Sequence, residues 1–561
     1  NEFFENIVEQ DRLEGINYFQ NYLHNVIRKN PFLATMSYQE LYEKIFFSQS
    51  HNTYLKKLEI RVTPYTENLS GNDTEGMLIM LKRQILEQVK PVLMGYKAYL
   101  CNMFHLKEEY DESQLKEMDE TYYKKGIGCP TIGIVFHFIK KNYIDNRTGQ
   151  YCWLSREIND FYRSGHILAW RESMVRTAKA IEQLRSELPL LSEYIVGIDA
   201  ASDEVNTEPW IMAPVYREIR NKRITRPIVQ DEDENFYQVK NMGFTYHVGE
   251  EFRHILSGLR HIDEVIEYYG YKSGDRLGHA IALGIDLKYW MHMNEVVVIP
   301  IMEHLENLLW LWGNVVYKKM QGIDTSVYQL EGQILEYAKK IYGDITGMTV
   351  SMLYEAYQIK FLKNHRERFG RMEKLVDISK DDRKHKQKHF CKFYKEEREC
   401  VWTVDKLICT YFCPVYYIKF QKPMFISIEE EEYSLFKQIQ DAMIRKVEKE
   451  GYYVETNPTS NAVIGEISGI FQHPILHLNS IELKESNEKV PNCVRVTVNS
   501  DDPIVFNTDS EKELSYIYHS LVHDGYQKER ILLWVGKVRQ TGMDSSFISA
   551  FPAIFHTICL Q

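Results

Sequence analysis

The chain has 561 residues and a mass of 66.5 kDa, more than one average domain needs and enough for a very large core. Hydrophobic residues make up 44% and charged residues 26%, an ordinary globular composition that excludes a disordered or fibrous protein. A formal net charge of -11 with a pI near 6.0 does not advertise nucleic-acid binding. No apolar run is long enough for a membrane span, and nothing after Asn1 resembles a signal peptide. Nine singly scattered cysteines point to reduced cytosolic thiols and hence a cytoplasmic location.

From Asn1 to about Ser50 the apolar residues recur at helical spacing, as in Phe3, Phe4, Ile7, Ile16, Phe19 and Leu23. The first convincing strand is LEIRV at Leu58 to Val62, stopped by Pro64, and the second is TIGIVFHFI at Thr131 to Ile139. Helices containing Val175 and Leu184 lead to a third strand at Tyr194 to Ile198. GFTYHV at Gly243 to Val248 precedes a helix from Glu251 to Tyr269, and a short strand follows near Arg276 and Leu277. Between Asp286 and about Gly451 the pattern is first aromatic and helical (Met302 to Met320), then strongly charged (Glu367 to Phe390). Strands resume with YYVET at Tyr452 and VRVTVN at Val494. Strands separated by helices predict parallel βα units, with residues 286–450 as a mainly helical insertion into a barrel or sheet formed by 1–285 and 451–561.

Four segments put a His, Asp or Glu at the C-terminal end of a predicted strand, where (β/α)8 barrels build their active sites. They are GIDAASDE at Gly197 to Glu204, HVGE at His247 to Glu250, DRLGH at Asp275 to His279, and NSDDP at Asn499 to Pro503. Any one alone is weak, because a strand-end His is often structural and a DDP is often a turn. Four in register with successive strands are hard to explain as turns.

In order and spacing these segments resemble the adenosine deaminase family of metal-dependent amidohydrolases. YLKKLEIRVTP (Tyr54 to Pro64), ETNPTSN (Glu455 to Asn461), His473 with Pro474, and SSF (Ser545 to Phe547) fit the same pattern. The resemblance implies an α/β fold, a (β/α)8 TIM-type barrel with a helical N-terminal segment and the large insertion between strands six and seven. It implies zinc as cofactor, with His247 and Asp501 as ligands. Glu250 would be the proton shuttle to purine N1, and His279 would orient and electrostatically support the nucleophile. Asp501 would also take the water's proton, Asp502 would hydrogen-bond purine N7, and Ser202 would stand where the family has a glycine whose backbone meets N3. The chemistry is coherent in itself: zinc lowers the pKa of bound water from about 16 towards about 7, and a neighbouring carboxyl group can protonate the base.

Two features depart from the family. No H-x-H occurs in the chain, although the family's first strand supplies two zinc ligands through one; that strand is expected upstream of Asn1 or missing. His137 lies on the wrong strand to replace it and is expected as a barrel-interior or core residue. Ser202 adds a side chain that narrows the pocket or alters specificity. The H-x-E with P-C-x-x-C constellation of many base deaminases is not present, and Cys409 with Cys413 lacks the second pair a zinc site would need.

In the insertion, Leu305, Leu308, Leu309, Trp312 and Val316 share a helix face suited to core packing or, second, to a protomer interface. RKHKQKH at Arg383 to His389 is read as a solvated face, with nucleotide phosphates as an alternative occupant. Size, insertion and the wording of residues 247–284 are similar to bacterial defence-associated deaminases, above all the deaminase subunit of RADAR-type antiviral systems. That similarity implies adenosine or ATP as substrate, a large homo-oligomer and an AAA-type ATPase partner. A CRISPR-linked deaminase is the nearest rival. A catalytically inactive scaffold and a partner-dependent RNA adenosine deaminase are the alternatives in function.

Overall fold

The computed structural model describes residues 35–50, 55–64, 74–103, 129–140, 167–220 except 190, 228–361 except 231–235 and 240, and 401–548 except 412–415, 417–418, 466, 468–472, 484–491, 504–505 and 507. Seven strands form one parallel sheet in chain order. They are β1 (Lys57–Val62), β2 (Thr131–Lys140), β3 (Ile195–Ser202), β6 (Gly243–Val248), β7 (Arg276–His279), β10 (Tyr453–Thr456) and β11 (Arg495–Val498). Two antiparallel ribbons lie outside it: β4 (Ile228–Gln230) with β5 (Phe236–Gln238), and β8 (Val296–Pro300) with β9 (Pro423–Ser427).

The two faces of the sheet differ in chemistry because successive side chains alternate. Ile60, Phe136, Phe138, Ile198, Phe244, Tyr246, Leu277 and Val454 point to the helix-covered side and join one large apolar core. Glu59, Arg61, His137, Asp199, Thr245, His247, Arg276 and Glu455 share the other face and meet one another. Arg61 on β1 reaches Glu455 on β10 at 2.7 Å, and Glu59 on β1 reaches Arg276 on β7 at 2.6 Å. β1 and β10 are five places apart in the sheet order. At about 4.8 Å per strand a flat sheet would hold them roughly 24 Å apart. The sheet is therefore curled into a barrel-like wall with a polar interior.

Most expected strands are present with small shifts of boundary. β3 is the exception: it runs on to Ser202 instead of ending at Ile198. The sequence places Asp199 to Ser202 past the strand end, but Asp199 finds partners inside the curl and the ladder continues. The insertion is not helical throughout. Its Val-rich run at Val296 pairs with Pro423–Ser427, as β-branched residues favour. The helix Ile301–Val316 buries Leu305, Leu308, Leu309 and Trp312, which fits the core reading, while Val316 is 37% exposed. Of the expected N-terminal helices, Tyr38–Gln49 is described, closed at its start by a Ser37–Glu40 capping box. Residues 1–34, the basic run at Arg383 to His389 and Cys413 lie outside the described residues. Among the described residues no helix is long and apolar enough to cross a membrane.

Candidate active site

The C-terminal ends of β6, β7 and β11 bring His247, His279 and Asp501 together, with one donor atom from each lying within 4.8 Å of the others. The backbone at this mouth is unusual. Among the described residues five non-glycines have left-handed φ values, and four are here: Ser202 (82°), His279 (59°), Ala280 (45°) and Asp501 (51°). Such conformations cost about 1 kcal/mol or more each and collect at functional sites. Gly278 makes room as well, since a Cβ there would fall 3.0 Å from the Cα of His247 and 3.1 Å from its Nδ1.

Each of the three side chains is oriented by a neighbour. Nδ1 of His247 lies 3.1 Å from Oδ1 of Asp199, and an ionised carboxylate only accepts. Nδ1 therefore donates to Asp199, while Nε2 faces Arg61 Nη1, a guanidinium nitrogen that only donates, at 3.4 Å. Asp199 also faces Arg61 at 3.2 Å and His137 at 3.5 Å. Burial opposes the Asp199 charge, but His247, Arg61 and His137 hold its carboxyl well below the usual range. His137 itself is pushed by burial down to about 4, so it sits in the interior as a neutral ring, as expected.

Oδ2 of Asp501 accepts from the Ser460 hydroxyl at 2.6 Å. Burial opposes its ionisation, yet His279 and His247 keep the carboxyl below its ordinary value. Asp502 is exposed at the mouth, though the protein packed around its carboxyl and the adjacent Asp501 charge push it up to about 6.

His279 and Glu250 form the third piece. His279 Nδ1 is 2.9 Å from Oε1 of Glu250, and Asn461 Nδ2 donates to that same oxygen at 2.9 Å. Asn461 cannot flip, because its Oδ1 accepts from the backbone N–H of Asn457 at 2.9 Å and from His473 Nε2 at 3.1 Å. Burial disfavours a charged His279, but Glu250 and Asp501 outweigh it and raise its pKa to about 9. The loop carrying Glu250 is tied down by Glu204, whose carboxylate accepts the Glu250 N–H at 3.2 Å.

His247, Glu250, His279 and Asp501 thus stand within one polar cluster, Asp502 is exposed next to Asp501, and Ser202 is buried at the end of β3. Sequence reasoning quoted the segments holding Asp199, Glu204, Glu455 and Asn461 without singling those residues out. Their signal was polar residues at period two, or at i and i+4, inside otherwise apolar runs. An imidazole from His247 and a carboxylate from Asp501 suit zinc and leave coordination positions open, while His279 in its charged form has no lone pair to give. The residues therefore fit such an ion.

No protein-family model matches the sequence, and no curated protein does. Among solved structures the chain is similar to the adenine deaminase from Arthrobacter aurescens, at 9% identity and a TM-score of 0.32. That comparison covers 90% of this chain and 79% of that one.

Proposed function

We propose that the chain is a zinc-dependent aminohydrolase that replaces the exocyclic amine of an adenine ring by oxygen, with adenosine or ATP as substrate. The observation that carries the reading is the convergence of His247, His279 and Asp501, from three strand ends, on one point beside Glu250. A zinc ion there would supply a water acidified enough to attack at neutral pH.

The chain's own residues would do the rest. His247 and Asp501 would hold the ion through Nε2 and a carboxylate oxygen. The His279–Glu250 pair shares one proton, which Glu250 would deliver to ring nitrogen N1 so that C6 accepts the nucleophile, while Asp501 takes the proton that the water loses. The C6–N bond then breaks and the amine leaves as ammonia once it has been protonated. His279, whose contact with Glu250 favours its charged form, has no spare lone pair in that form and would act as a donor to the nucleophile. Asp502 would meet N7 at the rim and the backbone of Ser202 would meet N3. Water supplies the oxygen of the product and two protons, one that ends on N1 and one that Asp501 passes to the leaving amine, whose other two hydrogens are its own, so no oxidant or reductant is needed.

A role in antiviral defence, a homo-oligomeric assembly and an AAA-type ATPase partner belong to the same reading through the wording of residues 247–284. The ultraviolet shift from adenine to hypoxanthine, with adenosine and ATP run in parallel on zinc-loaded protein, tests it. Conversion of ATP supports nucleotide depletion, and conversion of adenosine alone supports ordinary purine metabolism. No conversion of either favours the scaffold or an RNA substrate.

A further inference from the structure

Alternating charges run from the candidate metal centre through the barrel interior to its opposite end. Asp199 Oδ2 lies 3.2 Å from Arg61 Nη1, and Arg61 Nη2 donates to Glu455 Oε2 at 2.7 Å. Glu455 Oε1 lies 2.8 Å from Arg276 Nε, and Arg276 Nη2 donates to Glu59 Oε2 at 2.6 Å. Asp199, Glu455 and Arg276 are at most 6% exposed, Glu59 is 15% and Arg61 27% exposed.

The ladder does not end in solvent. Glu59 Oε1 accepts from the Phe547 N–H at 2.6 Å and from the Ser546 hydroxyl at 2.9 Å. Arg276 donates to the Ser545 carbonyl at 3.2 Å and lies 3.7 Å from the Phe547 ring centroid. Lys57 holds the Ile548 carbonyl at 2.7 Å. These C-terminal residues sit at the start of the strands, opposite the strand ends that carry the metal ligands.

The fit is built into the sheet. Gly133, Gly197 and Gly243 lie near the starts of three neighbouring strands, β2, β3 and β6. A Cβ at Gly243 would overlap the Phe547 ring, one at Gly197 would come within 2.6 Å of it, and one at Gly133 within 2.8 Å of Ile548.

We propose that Ser545–Ile548 is a positioning plug for the metal centre, holding Glu59 and, through Arg276, Glu455 and Arg61, fixing the Asp199 carboxylate that orients His247. This inference rests on the reading of His247 and Asp501 as metal ligands. Inside the curl Arg276, 6% exposed, has little water to replace a lost carboxylate. A shift of Glu59 would leave Arg276 with Glu455 as its one remaining carboxylate, which is unfavourable for so buried a charge, so neighbours follow rather than lose their pairs. The plug is a positioning element and touches no reacting atom.

The test is cobalt binding by the full chain, read from visible ligand-field absorption during titration against a competing chelator. Phe547→Ala and Glu59→Gln are compared with wild type and with Ile334→Ala, which opens a cavity in the insertion helix Val327–Tyr342 far from the ladder. All variants are also scored for thermal midpoint. The expected result is a loss of cobalt affinity of about tenfold or more in both plug variants, the range typical of partners behind metal ligands. Ile334→Ala should keep wild-type affinity even with an equal loss of midpoint. Should Phe547→Ala fail to fold, Glu59→Gln keeps shape and volume and carries the test. Wild-type affinity in Glu59→Gln, or an equal loss in Ile334→Ala, overturns the coupling alone. A wild-type chain that binds no cobalt overturns the metal reading and the coupling with it.

Discussion

Glu455→Gln is the perturbation whose size can be worked most directly from the structure. The Glu455 side chain is 5% exposed and lies 2.7 Å from Arg61 and 2.8 Å from Arg276, and it accepts from the Thr245 hydroxyl at 2.8 Å. Burial opposes its charge, but the two guanidinium groups outweigh burial and bring its pKa from 4.5 to about 2. That difference corresponds to about 3 kcal/mol of stability at neutral pH. The sign follows from a depressed value in the folded state. The contribution is complete above pH 4.5 and is lost as pH falls towards 2, so that about 1 kcal/mol remains near pH 3. Glutamine keeps the shape and removes the charge. Denaturant midpoints of wild type and variant, measured at pH 7, 5 and 3, should therefore differ most at pH 7 and 5 and least at pH 3, where about 1 kcal/mol remains. A difference below about 1 kcal/mol at pH 7, or one that does not shrink on acidification, would refute the argument that Glu455 is held ionised between two arginines.

Glu250→Gln should abolish hydrolytic deamination while the chain retains its metal, measured by ultraviolet assay beside elemental analysis; surviving activity would remove Glu250 from the proton-transfer role. Asp199→Asn should weaken metal binding by about 10- to 100-fold, because an amide no longer fixes which nitrogen of His247 carries the proton. Chelator competition would show it, and unchanged affinity would contradict the orientation argument. Gly243→Ala should drive Phe547 from its seat and lower the thermal midpoint by several degrees, whereas an unchanged midpoint would mean that the plug is not seated there.

Much of the site was legible because its chemistry lies at strand ends. HVGE, DRLGH and NSDDP each follow an apolar strand, and a His or Asp placed there has few structural uses that recur on successive strands. The ladder was not legible. Glu59, Arg61, Asp199, Arg276 and Glu455 come from β1, β3, β7 and β10, and their pairing is a property of the sheet's curvature that no local pattern encodes. Local patterning failed at β3 for a related reason: the apolar run stops at Ile198, and Asp199 is held in the ladder by partners on β1, β2 and β6. The role of Asn461 was hidden likewise: its carbonyl is fixed by Asn457 four residues earlier and by His473 twelve residues later, and only together do these aim its amide at Glu250.

The most direct test of the central claim is the metal content of the zinc-equilibrated and desalted chain, set against His247→Ala, Asp501→Ala and Glu250→Gln. The account predicts bound zinc in wild type and in Glu250→Gln, and loss of it in His247→Ala and Asp501→Ala with thermal midpoints close to the apo protein. Zinc retained in both ligand variants, or absent from a correctly folded wild type, would contradict it.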